Sequence, residues 1–151
     1  MYADWAKRDS TLVTKDDFTA DLYNSYTELR KFGIKKQNAP YFLPPYEWYN
    51  DEIADWTSEL GLTLINFSPG TTSNGDYTVP NEGTYYSSTF IFNKILKFER
   101  ESPNGLNGFM LLTHFGTDER RTDKFYNKLE NLIIELQNRG YKFVSLPQLM
   151  K

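Results

Sequence analysis

Leu62-Thr63-Leu64-Ile65-Asn66-Phe67, closed by Ser68-Pro69-Gly70, decides how the rest of this chain is read. A short, mostly apolar run with turn formers behind it has the pattern of a strand buried on both faces. Just upstream, Asn50 or Asp51 is placed to cap a helix whose apolar positions are Ile53, Trp56 and Leu60, with Gly61 after it. Before that helix, Ala39-Pro40-Tyr41-Phe42-Leu43 reads as a second extended run, stopped by Pro44-Pro45. Thr14-Lys15-Asp16-Asp17 has the cap-x-x-acid spacing that opens a helix. Behind it Phe18, Leu22, Tyr26, Leu29 and Phe32 share one helical face up to Gly33.

Downstream of the same run, residues 69–86 are rich in Gly, Thr, Asn, Ser and Tyr without periodicity, the composition of a long loop. Ser87-Ser88 is placed to cap a third helix running to about Glu101, and Phe109 to Thr113 reads as another buried strand. Thr122 or Asp123 is placed to start a last helix carrying Phe125, Leu129, Leu132, Ile133 and Leu136, ending at Arg139-Gly140, with Tyr141 to Leu146 as a final strand. Helices alternating with short buried strands predict an α/β fold, a parallel sheet with outer helices, formed by a single domain over residues 1–151. Four such units are too few to close an eight-fold barrel, so the sheet is open or part of a barrel is missing.

Composition narrows the function classes. The net charge is −3 with no basic block, which argues against a nucleic-acid partner. No apolar run approaches the roughly 18 residues of a membrane span, and the N-terminus has no signal-peptide pattern. Tyr-Ala-Asp-Trp directly after Met1 reads like the middle of a domain, so an upstream portion is expected. Cysteine is absent and histidine occurs once, so a two-histidine metal site cannot come from this chain alone. Tyr, Phe and Trp make up 17% of residues, which suits core packing; Trp48, Trp56 or Tyr85 would stack on sugar if they line a cleft. The runs Glu99-Arg100-Glu101 and Asp118-Glu119-Arg120-Arg121 read most simply as solvated faces.

In parallel α/β architectures, sites gather where strands end at their carboxyl side. Three groups fall at such ends here: Pro44-Pro45-Tyr46, Asn66 with Ser68, and His114. His114 is the one side chain whose ordinary titration lies near neutrality, a general acid or base unless it is simply a buried, hydrogen-bonded imidazole. The paired prolines would aim the Tyr46 backbone N–H at an oxyanion, or else merely make a tight strand exit. No phosphate loop, nucleophile elbow or Ser-His-Asp arrangement is visible.

Taken together, Phe42-Leu43-Pro44-Pro45-Tyr46, Leu111-Leu112-Thr113-His114 and the closing stretch Lys128 to Leu146 resemble the C-terminal part of polysaccharide deacetylases of the NodB-homology type, a group of carbohydrate esterases. The resemblance runs from about residue 15 to the end. It implies a partial, distorted (β/α) barrel and a hydrolase that removes N- or O-acetyl groups from a polysaccharide. A divalent metal, zinc by preference, would activate water in the full-length parent, and none is expected bound by this chain. His114 and Tyr46 would be catalytic, the first protonating the leaving group and the second holding the oxyanion. Leu112 would shape the acetyl pocket, and Trp48, Asn66 and Ser68 would contact substrate. An extracellular, periplasmic or cell-surface location follows from the same likeness.

The departures from the family pattern are as definite as the matches. Leu43 stands where an arginine is expected, and the Thr-Phe-Asp-Asp and His-x-x-x-His motifs are absent, the latter expected before Met1. Asn66-Phe67-Ser68-Pro69-Gly70-Thr71 replaces the region that would supply the acid tuning the histidine. A non-catalytic glycan-binding relative is therefore the competing expectation, with an unrelated α/β interaction domain behind it. An unpaired sheet edge invites association, so a homo-oligomer of this chain is expected; a monomer by light scattering at high concentration would count against it.

Overall fold

The computed structural model describes residues 1–150. They pack as two compact units, Met1–Asn66 and the chain from Phe67 on.

The first unit is organised by helix α1, Lys15–Arg30. It opens on the expected capping box: Thr14 Oγ1 accepts the Asp17 N–H at 3.2 Å and the Asp17 carboxylate accepts the Thr14 N–H at 3.3 Å. The Thr14 hydroxyl and then its N–H hold the Asp17 carboxyl below its ordinary range. Of the five apolar positions on one face, Phe18, Leu22 and Tyr26 are buried, whereas Leu29 and Phe32 are exposed beyond the end of the core. Strands β1 (Tyr41–Phe42) and β2 (Thr63–Leu64) pair in parallel with Tyr41 opposite Thr63. Between them helix α2, Asp51–Glu59, is capped by the Asn50 side chain accepting the Ile53 N–H at 3.0 Å. The core joins Tyr2, Phe18, Leu22, Tyr26, Phe42, Ile53 and Leu62. Its aromatic rings meet edge to face, Phe18 lying 5.0 Å from Tyr2 and 5.6 Å from Phe42 between centroids.

The second unit is built on α3 (Ser88–Glu101), α4 (Leu129–Asn138) and the short α5 (Leu146–Leu149). Ser87 caps α3 through its hydroxyl, which accepts the Phe90 N–H at 3.1 Å. Ile91, Ile95, Leu96, Leu106, Phe125, Leu132 and Leu136 form its core. The long loop holds one 3-10 turn, Ser73–Gly75. It leaves Phe67 through Gly70, whose φ of +119° and contact with the Phe98 ring leave no room for a side chain.

The expected partial barrel is not what the chain forms. Among the described residues the sheet has two strands, and Phe109 to Thr113 and Tyr141 to Leu146 join no ladder. An apolar run becomes a strand only when a neighbour takes its N–H and C=O groups. The Met110 carbonyl instead accepts the Ser68 N–H at 2.9 Å, and the Met110 N–H donates to the Ser68 hydroxyl at 3.1 Å. Ser145 is taken up as the cap of α5 with Gln148. The last long helix also starts later than expected, at Leu129 after a 3-10 turn, because Asp123 is engaged with Ser88 and does not cap it. Among the described residues no helix is long and apolar enough to cross a membrane.

All three tryptophans lie in the first unit, so their emission reports on it alone. Phe18→Ala should lower that unit's stability by about 3–5 kcal/mol, read from urea denaturation followed by tryptophan fluorescence. A loss below about 1 kcal/mol would show that the ring junction around Phe18 does not carry the core.

Candidate acid–base site

The second unit gathers polar groups where its loop packs inward. Thr71, Ser73, Asp76, Thr78, Ser88 and Arg121 are all buried. Asp76 closes the Ser73–Gly75 turn, its N–H donating to the Ser73 carbonyl at 3.2 Å. Its carboxylate meets His114 twice: Oδ1 lies 2.6 Å from Nδ1, and Oδ2 accepts the His114 backbone N–H at 2.9 Å. The Asp76 side chain is 1% exposed and the imidazole 30% exposed. The Tyr77 ring packs edge-on against the imidazole at 5.0 Å.

This geometry defines what the histidine does chemically. A carboxylate facing Nδ1 accepts a hydrogen bond from it, which favours the tautomer with Nδ1–H. The second bond, from the backbone of the same residue, holds the carboxylate in plane with that role. His114 therefore has a carboxylate partner, from another part of the chain than Asn66 to Thr71. Asp76 is the one acidic residue between Glu59 and Glu82, and that isolation within a long polar loop was its only signal in the sequence.

Arg121 is a second correction. Read as part of a solvated charged run, it is fully buried. Its Nη1 donates to the Thr78 carbonyl at 2.7 Å, and Nη2 to the Tyr86 carbonyl at 3.0 Å and the Ser88 hydroxyl at 3.2 Å. Its guanidinium also lies over the Tyr85 ring, 5.1 Å from the centroid. Asp123 supplies the counter-charge, Oδ1 being 3.6 Å from Nε. Burial by itself would raise the Asp123 carboxyl; the Ser88 N–H at 2.6 Å, the Tyr85 hydroxyl at 3.0 Å and Arg121 outweigh it and hold the group below its ordinary range.

The remaining predicted residues divide between the units. Ser68 is spent on Met110, and half-buried Leu112 lies two residues before His114 in the second unit. Tyr85, held by Asp123 and Arg121, and Trp56, packed on the first unit's core, serve structure rather than a sugar face. In the first unit Tyr46 and Glu47 both adopt left-handed backbone, at φ 60° and 55°, a strained pair that costs of order 1–3 kcal/mol per residue. The Tyr46 side chain is 73% exposed. The Asn66 amide donates to the Glu47 carbonyl at 2.9 Å and so braces that turn. Trp48 donates Nε1–H to the Asp4 carbonyl at 3.0 Å, while its ring packs 4.6 Å from Trp5 and 4.6 Å beneath the Arg8 guanidinium.

Among the described residues no group of three or more His, Cys, Asp or Glu side chains is placed to hold a metal ion. The donors present do not fit the zinc that the resemblance implies. Comparison with models of known protein families and with curated proteins returned no match.

Because Asp123 is held below the usual carboxylate range when folded, its contribution to stability is present above about pH 4 and is lost as pH falls through the lower folded value. Asp123→Asn should cost about 1–3 kcal/mol at neutral pH and flatten the decline of the urea midpoint on acidification, followed by far-UV circular dichroism. A variant that keeps the wild-type slope in acid would assign that decline to other carboxyls.

Proposed function

We propose that the chain is part of a hydrolase that removes acetyl groups from a polysaccharide, with His114 as the general acid and Asp76 as the group that orients it. The observation that carries this reading is the Asp76–His114 pair, a desolvated carboxylate against a partly exposed imidazole with Nδ1 and Oδ1 2.6 Å apart. Water gives up its protons to solvent as it adds to the acetyl carbon and acetate forms, and the bond from that carbon to the sugar oxygen or nitrogen breaks. Imidazolium Nε2–H gives its proton to the departing atom, so the sugar leaves as a neutral hydroxyl or amine together with acetate. Asp76 stabilises the imidazolium that precedes this transfer.

The first unit offers a backbone donor of its own at Tyr46. Its N–H donates to no group among the described residues, and its left-handed turn is the kind of strained backbone found where an N–H is presented to a ligand. A zinc ion, in this reading, is held by residues outside this sequence, since the donors here do not compose a site. A polysaccharide substrate places the work at the cell surface, in the periplasm or outside the cell. One observation favours a second reading, glycan binding without turnover: Trp5, 61% exposed, lies tilted against Trp48 and offers an aromatic face to a sugar ring.

Acetate release from acetylated xylan and chitin oligosaccharides tests the proposal, using a polypeptide extended upstream of Met1 beside this chain. The longer form should release acetate, His114→Ala should lower the rate by about 10²–10⁴ and Asp76→Ala by at least about tenfold. Undiminished release by His114→Ala overturns the assignment. Oligosaccharide binding without release by the longer form moves the reading to the glycan-binding relative.

A further inference from the structure

We propose that Arg121 is the positioning residue of the Asp76–His114 pair, acting as a clamp that holds the two loop segments bearing these residues in one register. The inference rests on the acid–base reading for its effect on turnover, but its structural content stands on separate contacts. On one side, Arg121 grips the loop that carries Asp76. The Thr78 carbonyl receives Nη1, and the Thr78 hydroxyl donates back to the Gly75 carbonyl at 2.9 Å, so the two residues flanking Asp76 and Tyr77 are tied together beneath the guanidinium. The far end of the loop is fixed by the same side chain through the Tyr86 carbonyl and the Ser88 hydroxyl.

On the other side, Arg121 follows His114 in a short connecting segment. Its backbone N–H donates to the Asp118 carbonyl at 3.0 Å. Lys124 Nζ closes the same turn on the Thr117 carbonyl at 2.8 Å and the Asp118 carbonyl at 2.6 Å. Displacing the guanidinium therefore loosens both partners of the pair at once. A lysine cannot replace it, because a single ammonium lacks the planar fork that reaches carbonyls on two strands of loop. The arrangement is also costly to keep as a purely structural device. The cation is fully buried, and its Nε makes no hydrogen bond. Apolar packing often serves stability as well or better than a buried charge.

The lone histidine makes the test direct, since every imidazole resonance belongs to His114. The ring tautomer is read by ¹⁵N NMR in the wild-type chain, Asp76→Ala, Arg121→Lys and Thr78→Val. Wild type should show the Nδ1–H tautomer, and Asp76→Ala should lose it in favour of Nε2–H. Folded Arg121→Lys should show most of the same loss although neither Asp76 nor His114 is altered, and Thr78→Val a partial one. If Arg121→Lys does not fold, Ser88→Ala, which deletes the hydroxyl that accepts Nη2, decides: a partial loss supports the clamp, and an unchanged tautomer overturns it. A folded Arg121→Lys with the wild-type tautomer overturns it directly. Nε2–H in the wild type would instead sink the acid–base pair itself, a failure distinct from that of the clamp.

Discussion

Arg121 is the group around which the second unit is arranged. Residues 69–86 have one short 3-10 turn and no ladder, so their inward-facing carbonyls need donors from elsewhere. A guanidinium carries five donors in a rigid fork and can serve several carbonyls at once. Here it takes Thr78, Tyr86 and Ser88, with Asp123 answering its charge. Asp123 in turn accepts the Ser88 N–H at the start of α3. Loop, helix and the segment after His114 therefore converge on one buried ion, and removing Asp123 would leave that cation desolvated without its counter-charge.

The first unit depends on a different constraint. It has no buried charge cluster; aromatic rings and one short parallel pair hold it. Phe18 touches Tyr2, Phe42 and Trp56, which joins the chain's beginning, α1, β1 and α2 at one residue. The strained Tyr46–Glu47 turn is tolerated because its surroundings over-determine it: Pro44 and Pro45 enter it and the Asn66 amide holds the Glu47 carbonyl. Asn66 therefore acts as a brace for this backbone.

What was legible in the sequence was local. Thr14, Asn50 and Ser87 cap the helices they were read to cap, because capping is decided within a turn of chain. The extended runs at 39–43 and 62–67 were also readable one by one, and Tyr41–Phe42 pairs in parallel with Thr63–Leu64. The misreadings all involved distant partners. Phe109 to Thr113 has a strand's composition, but its backbone finds Ser68 rather than a ladder. Arg121 sits among charged neighbours, and nothing in that run separates it from Arg120, which is exposed and paired with Asp118. Asp76 is 38 positions from His114, a separation at which spacing carries no information.

The position of Asp76 bears on how such sites should be sought. A search by chain order looks for the tuning acid at Asn66 to Thr71, finds amide, hydroxyl and glycine there, and concludes that the histidine has lost its partner. Chemistry asks only that a carboxylate reach Nδ1 from a desolvated, fixed position, whichever stretch of chain supplies it. A long polar loop meets that demand when something anchors it, and a loop without secondary structure cannot anchor itself. A lone buried acid in such a loop and a buried arginine shortly after a lone histidine are thus parts of one requirement. Together they show why the substitution pattern around Asn66 does not by itself decide whether this histidine can move a proton.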